Sequence, residues 1–268
     1  MDGRRRHAPA PGYIREHAHC SMSVEGSQWL GQDIESSPMM GRTRIFTDRA
    51  AAGIALAQEL QGRLLPQPLL VLALPRGGVA VGYEVAHILQ APLDVMLVRK
   101  IGLPGQPELA MGAVACGGIV VRDAAIEKAF PDLVEGFDVA VAQQRAELER
   151  REKLFRAGLP PLQLTGKTVV LVDDGIATGS TMLAALRAAR RAGAARVVAA
   201  APVASSQATA LVRAETDAIV ILQTPPALLA VGEWYRDFEQ LEDAQVCRLL
   251  DRSHRTAWRP AAGDGARA

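Results

Sequence analysis

From Ile45 onward, apolar residues recur in two rhythms that alternate along the chain. The first is helical: Ala50, Ile54, Ala57 and Leu60 fall on one face of a helix that Thr47 or Asp48 would cap and that ends near Gly62. The second is a short continuous apolar run, the pattern of a strand covered on both faces. It occurs at residues 69–74, 93–98, 169–172, 195–201 and 217–222. Helical stretches lie between these runs: one follows Gly78 and runs through Leu89, one covers 181–191, and one is capped by Ser205. This alternation predicts a parallel α/β sheet with right-handed crossovers. A charged helix at 137–157 carries an apolar stripe of Val141, Leu148 and Phe155, read as core or dimer contact. Residues 98–112, dense in Gly and Pro and flanked by cations, are expected to form a mobile loop. Residues 113–121 alternate loosely around Gly117 and Gly118 and read as a β-hairpin.

The chemistry concentrates at residues 168–182, where an apolar run is followed by Asp173, Asp174 and the small-residue turn Gly175-Ile176-Ala177-Thr178-Gly179-Ser180-Thr181. Such a turn lies at the carboxyl end of a strand, where open α/β sheets bind ligands. Its backbone N–H groups can close on an anion unobstructed. The following helix adds its positive end, and Thr178, Ser180 and Thr181 add hydroxyl donors. Asp173 and Asp174 would repel the same anion. They suit sugar hydroxyls or a hard divalent cation such as Mg²⁺. A sugar bearing a phosphate satisfies both halves, and ribose 5-phosphate is the simplest.

These residues resemble the 5-phosphoribosyl pyrophosphate (PRPP) signature of type I phosphoribosyltransferases, closest to an uncharacterised "predicted phosphoribosyltransferase" group. The resemblance covers roughly residues 45–250. It implies a parallel sheet flanked by helices, a small C-terminal hood and a flexible loop or hairpin. It also implies PRPP as donor, Mg²⁺, a nitrogen acceptor and release of pyrophosphate. By resemblance, Asp173 and Asp174 hold the ribose hydroxyls, and through PRPP and water the metal. Ala177, Thr178, Gly179, Ser180 and Thr181 bind the 5-phosphate.

The turn Leu74-Pro75-Arg76-Gly77-Gly78 is a second candidate site, since two glycines permit close approach of an anion and Arg76 can chelate one. In the family this loop binds pyrophosphate, which assigns Arg76, Gly77 and Gly78. Arg99 and Lys100 are further candidates to neutralise the leaving group, so that Lys100, Arg76 and Asp174 form the expected catalytic set. Glu108 could hold the loop, touch metal-bound water or meet the acceptor. Trp234 and Tyr235, in an aromatic stretch ending at Phe238, either stack on a planar acceptor or form a hydrophobic plug. Ala177 stands where hypoxanthine–guanine enzymes carry an aspartate, which disfavours a 6-oxopurine acceptor. The alternatives are a non-catalytic PRPP or nucleotide-binding regulator on the same fold, or a phosphosugar hydrolase or phosphorylase.

Composition narrows the rest. The 268 residues, 49% apolar, suffice for one sizeable core, and a net charge of +1 gives no global attraction to nucleic acid or membrane. Cys20, Cys116 and Cys247 are an odd, widely spaced set, expected as reduced thiols in a cytoplasmic protein. No signal-peptide core or membrane-length apolar run is evident. Residues 1–44 are expected to be a disordered extension, in which Met39 and Met40 offer alternative starts and His17, His19 and Cys20 lack a second ligand cluster. The domain is expected at 45–251, with a loose tail at 252–268, and the working assembly as a homodimer.

Overall fold

The structure, a computed structural model, describes residues 45–257 apart from Leu64, 104–105 and 131–135. The expected extension at 1–44, with His17, His19, Cys20, Met39 and Met40, lies outside the described residues. Helix α1 (Arg49–Gln61) leads into β1 (Leu69–Ala73), α2 (Gly77–Leu89) and β2 (Leu93–Val95). Three further strands follow, β3 (Val98–Leu103), β4 (Gln106–Ala115) and β5 (Ile119–Arg122), then α3 (Ala124–Ala129) and α4 (Phe137–Phe155). The second half is β6 (Thr168–Val172), α5 (Ser180–Arg191), β7 (Arg196–Val203), α6 (Ser206–Arg213), β8 (Ala218–Gln223) and α7 (Asp243–Ala257).

Five strands form one sheet in the order β2-β1-β6-β7-β8, with every neighbouring pair parallel. The continuous apolar runs explain it, since every residue of β1 and β6 is buried and helices cover both faces. From β1 the chain steps outward to β2, and from β6 it steps the other way to β7 and β8. The order therefore reverses between β1 and β6. At such a switch point the loops leaving two adjacent strands part to opposite faces and leave a crevice. The two loops singled out in the sequence are the ones that leave β1 and β6.

Several expectations are corrected. Residues 98–103 and 106–112 are strand rather than loop: β3 and β4 pair antiparallel, and β5 joins them in a three-stranded sheet. Ile101 and Met111 bury against Phe137 and Val141 of α4, so this sheet has a core of its own. Gly102 and Gly112 belong to a pairing that shifts register around Gly102. The run at 93–98 is also broken. Met96 N–H still bonds Ala73 O, but Leu97 O accepts from Cys116 N–H, so the chain changes sheets there. On α1, Ile54 is exposed, while Ala52, Gly53, Leu56, Ala57 and Leu60 are buried, because α1 meets α2 through its small residues. Val141, Leu148 and Phe155 of α4 are all buried within the chain, which makes that stripe core. Residues 252–257 continue α7 rather than forming a loose tail. Leu250 and Ser253 are buried, and His254 Nε2 lies 3.1 Å from Leu93 O.

Candidate functional site

The two switch-point loops are in direct contact. Leu74 N–H donates to Val172 O at 2.8 Å, joining the strand ends. Beyond them, a Cβ on Gly77 would lie 1.8 Å from Asp174 Oδ2, and one on Gly78 would lie 2.7 Å from Val172 O. Only glycine fits at either place, so Gly77-Gly78 is a close approach of one loop to the other as well as an anion-sized turn. The Pro75–Arg76 peptide is cis, and α2 begins at Gly77 with no side-chain cap. Arg76 is half-buried, with Nη1 3.9 Å from Asp243 Oδ1 at the start of α7.

The loop after β6 has the geometry of an anion site. Gly179 sits at φ +81° and is followed by α5, which no side chain caps. The orphan N–H groups of that first turn, with the helix dipole behind them, favour a negatively charged ligand. Ala177, Thr178 and Thr181 are exposed around it, and Thr178 Oγ1 and Ser180 Oγ are 3.2 Å apart. The far side is pinned, since Ser205 Oγ donates to Ala177 O at 2.7 Å while accepting from Ala208 N–H.

The acid pair is electrostatically loaded. Burial, and then the neighbouring Asp174 carboxylate, push Asp173 well above the ordinary carboxylate range, although the Asp174 N–H donated to its Oδ1 at 2.9 Å works the other way. Asp174 has a partner that sequence reading missed. Arg49 Nε, in the first turn of α1, donates to Asp174 Oδ2 at 2.7 Å, with both side chains mostly buried. Arg49 is 125 residues away in the chain and belongs to no motif, so nothing local announces it. Tyr235 Oη donates to Asp174 O at 2.5 Å.

The remaining sequence candidates are placed as follows. Arg99 Nε donates to Gln144 Oε1 on α4 at 3.0 Å, which holds it on the α4 face of the small sheet. Strand alternation puts Lys100 on the opposite face, together with Val98, which packs against the main core. Glu108 lies in β4, and its side chain is outside the described residues. Tyr235 is 5% exposed, in a cluster with Phe46 and Phe238, so its ring forms a plug and offers no open stacking face. Burial and the nearby Asp174 push its hydroxyl far above the usual tyrosine value. Trp234 is half-buried against the same cluster. Among the described residues, no group of three or more His, Cys, Asp or Glu could hold a metal ion. Asp173 and Asp174 are hard oxygen donors, the kind Mg²⁺ prefers, but two carboxylates alone do not fill its coordination sphere.

The described fold is a parallel α/β sheet whose switch point carries a small-residue turn beside two carboxylates. The chain belongs to the phosphoribosyl transferase family: the model of the phosphoribosyl transferase domain matches residues 44–226. Two curated proteins of Mycobacterium tuberculosis, from strains CDC 1551 and H37Rv, each carry the name "Putative phosphoribosyl transferase" and are 46% identical over 218 residues. The matched region is 79% of this chain and 48% of each relative, so the chain spans about half their length. The crystal structure of TT1426 from Thermus thermophilus matches with a TM-score of 0.70 and 43% identity, over 76% of this chain and 97% of that one. The fold is thus the parallel, helix-flanked sheet of type I phosphoribosyltransferases.

Proposed function

We propose that this protein transfers a 5-phosphoribosyl group from PRPP to a nitrogen acceptor, a nucleobase or related small molecule, with release of pyrophosphate. The observation that supports this reading is the close approach of Gly77 to Asp174, which brings the turn at Arg76 to Gly78 beside the loop of Asp173 to Thr181. In this reading the 5-phosphate sits on the N–H groups and hydroxyls of Ala177 to Thr181. Asp173 and Asp174 accept hydrogen bonds from the ribose hydroxyls. The pyrophosphate lies against the backbone of Arg76 to Gly78, with the Arg76 guanidinium beside it. Arg99 and Lys100 remain candidate cations on the small sheet, and Glu108 and Trp234 candidate acceptor contacts.

The C1–O bond of the donor breaks with its electron pair leaving on pyrophosphate. The acceptor nitrogen forms the C1–N bond from the opposite face, and its proton passes to solvent. No covalent intermediate with the protein is required. The chain's contribution is positioning, leaving-group neutralisation and exclusion of water. Asp173 and Asp174 would hold a Mg²⁺ ion indirectly, through the donor and water, and the ion would supply further neutralisation of the pyrophosphate. The protein is read as a homodimer of the cytoplasm, a compartment that keeps thiols such as the unbridged Cys116 and Cys247 reduced.

Calorimetric titration with PRPP and Mg²⁺, followed in the same cell by nucleobases and small amines, tests the reading. Binding with pyrophosphate release for one acceptor supports it and names the substrate. Binding without release for any acceptor favours a regulator, and free ribose phosphate as product favours a hydrolase. Absence of binding overturns the assignment of the site.

A further inference from the structure

Arg49 makes four contacts that together join parts of the site which the sequence keeps far apart. Its Nε donates to Asp174 Oδ2 at 2.7 Å, and its Nη1 donates to Glu239 O at 2.8 Å. The guanidinium carbon lies 3.8 Å from the centroid of the Phe238 ring and 6.0 Å from that of Tyr235. The side chain is only 11% exposed and that of Asp174 15%, so the pair is largely withdrawn from water, where a charge-assisted bond is strong. A guanidinium suits this place because its planar fork hydrogen-bonds at its edge while its face rests on an aromatic ring.

The segment it grips is the C-terminal hood. Phe46 N–H donates to Trp234 O, and Phe46 O and Thr47 O accept from Arg236 and Asp237 N–H, so residues 234–237 run along the entry to α1. Tyr235 then reaches back to Asp174 O. Asp174 is therefore bounded by Gly77 of the first loop, Arg49 of α1 and Tyr235 of the hood.

We infer that Arg49 is a positioning residue, which fixes the Asp174 carboxylate for the ribose hydroxyls of the donor and mechanically links that carboxylate to the acceptor-side hood. The inference rests on the transferase reading above and adds to it a residue outside every motif. Because Arg49 holds donor side and hood at once, seating a donor on Asp174 shifts the hood through this side chain.

The test uses the full chain with Trp234 as its only tryptophan, through Trp29→Phe and Trp258→Phe. PRPP with Mg²⁺ is titrated by calorimetry and by Trp234 emission. In the parent, PRPP binds and changes the emission. Arg49→Met keeps an apolar stem but loses the fork; it is expected to bind PRPP about tenfold more weakly or worse, and to lose the emission change even at saturation. Arg49→Lys restores charge without the fork and is expected to recover neither. Phe238→Leu keeps the ion pair but removes the ring seat, and is expected to lose the emission change with only a few-fold loss of affinity. Thermal melts of each variant separate these effects from unfolding, and the Lys and Leu variants carry the test if Arg49→Met does not fold. Parental affinity and emission change in Arg49→Met overturn the inference alone, as does full recovery in Arg49→Lys, which reduces Arg49 to a charge. A parent that does not bind PRPP overturns the transferase reading, and the inference with it.

Discussion

Gly77 and Asp174 stand so close that the smallest side chain at position 77 would occupy the place of a carboxylate oxygen, 1.8 Å from Asp174 Oδ2. A methyl group cannot be added without moving the loop or the acid. Gly77→Ala is expected to cost about 1–3 kcal/mol of stability, the range for overpacking a fitted site. It should also weaken PRPP binding at least about tenfold, because the displaced acid no longer meets the ribose. Gly62→Ala is the control: that residue closes α1 at φ −66°, and its nearest neighbour would be 3.6 Å away. The control should change stability by less than about 1 kcal/mol and leave binding intact. Urea titration and calorimetry on the two variants check both halves.

Asp174→Asn removes a charge without changing shape. Arg49 keeps an oxygen to bond but loses its counter-ion, and the ribose hydroxyls lose an anionic acceptor. The expected loss is about 100-fold in PRPP affinity, the scale of a charged hydrogen bond or two. Stability should fall by about 1–3 kcal/mol. Unchanged calorimetric affinity in this variant would remove Asp174 from the site.

The switch-point arrangement was legible because it is local. The acids, the small turn and the helix start lie within residues 173–181, and a strand followed by a helix fixes their mutual geometry. The Gly77-Gly78 turn was legible as an anion-sized loop. Its second role was not, since the atom it avoids belongs to a side chain far along the chain. Arg49 was missed, and the choice between stacking face and plug stayed open for Tyr235, for the same reason: their contacts with Asp174 span 125 and 61 residues. The small sheet failed differently. Gly and Pro density between residues 98 and 112 is the composition of a loop, yet Ile101 and Met111 find a covering helix in α4, and burial outweighs propensity. A tertiary partner, invisible to a local window, decided each of these cases.

Away from the crevice, Arg156 at the end of α4 makes a bidentate pair with Asp94 of β2, Nε to Oδ1 at 2.9 Å and Nη2 to Oδ2 at 3.0 Å. The Arg156 side chain is 5% exposed and also bonds Glu152 and Pro160 O, none of them in the site. Asp94→Asn leaves the buried guanidinium with Glu152 as its remaining counter-charge and is expected to cost about 3 kcal/mol. Adding Arg156→Met should recover part of that loss, since an apolar residue tolerates the place better than a charge that has lost its bidentate partner. PRPP affinity should not change in either variant. A parallel loss of stability and binding would mean that the sheet edge and the crevice are coupled.

Cys116, 2% exposed with Sγ 3.7 Å from Met96 Sδ, gives a dependence on alkaline pH. Burial is the largest cause that pushes its thiol up from 9.0 to about 11. The folded state therefore holds this proton more tightly than the unfolded chain. The stability it represents is fully present below pH 9 and is lost as pH rises toward about 11. Across that window the loss is about 2–3 kcal/mol, and Cys116→Ala should abolish this component, so the difference between the two unfolding curves isolates it from other titrating groups. The same burial predicts slow chemistry. At pH 8 the thiolate is about one part in a thousand, so the Cys116 peptide should resist iodoacetamide until denaturant is added. Peptide mapping by mass spectrometry reads the result, and rapid labelling of native Cys116 would show that the small sheet opens far more often than its packing implies.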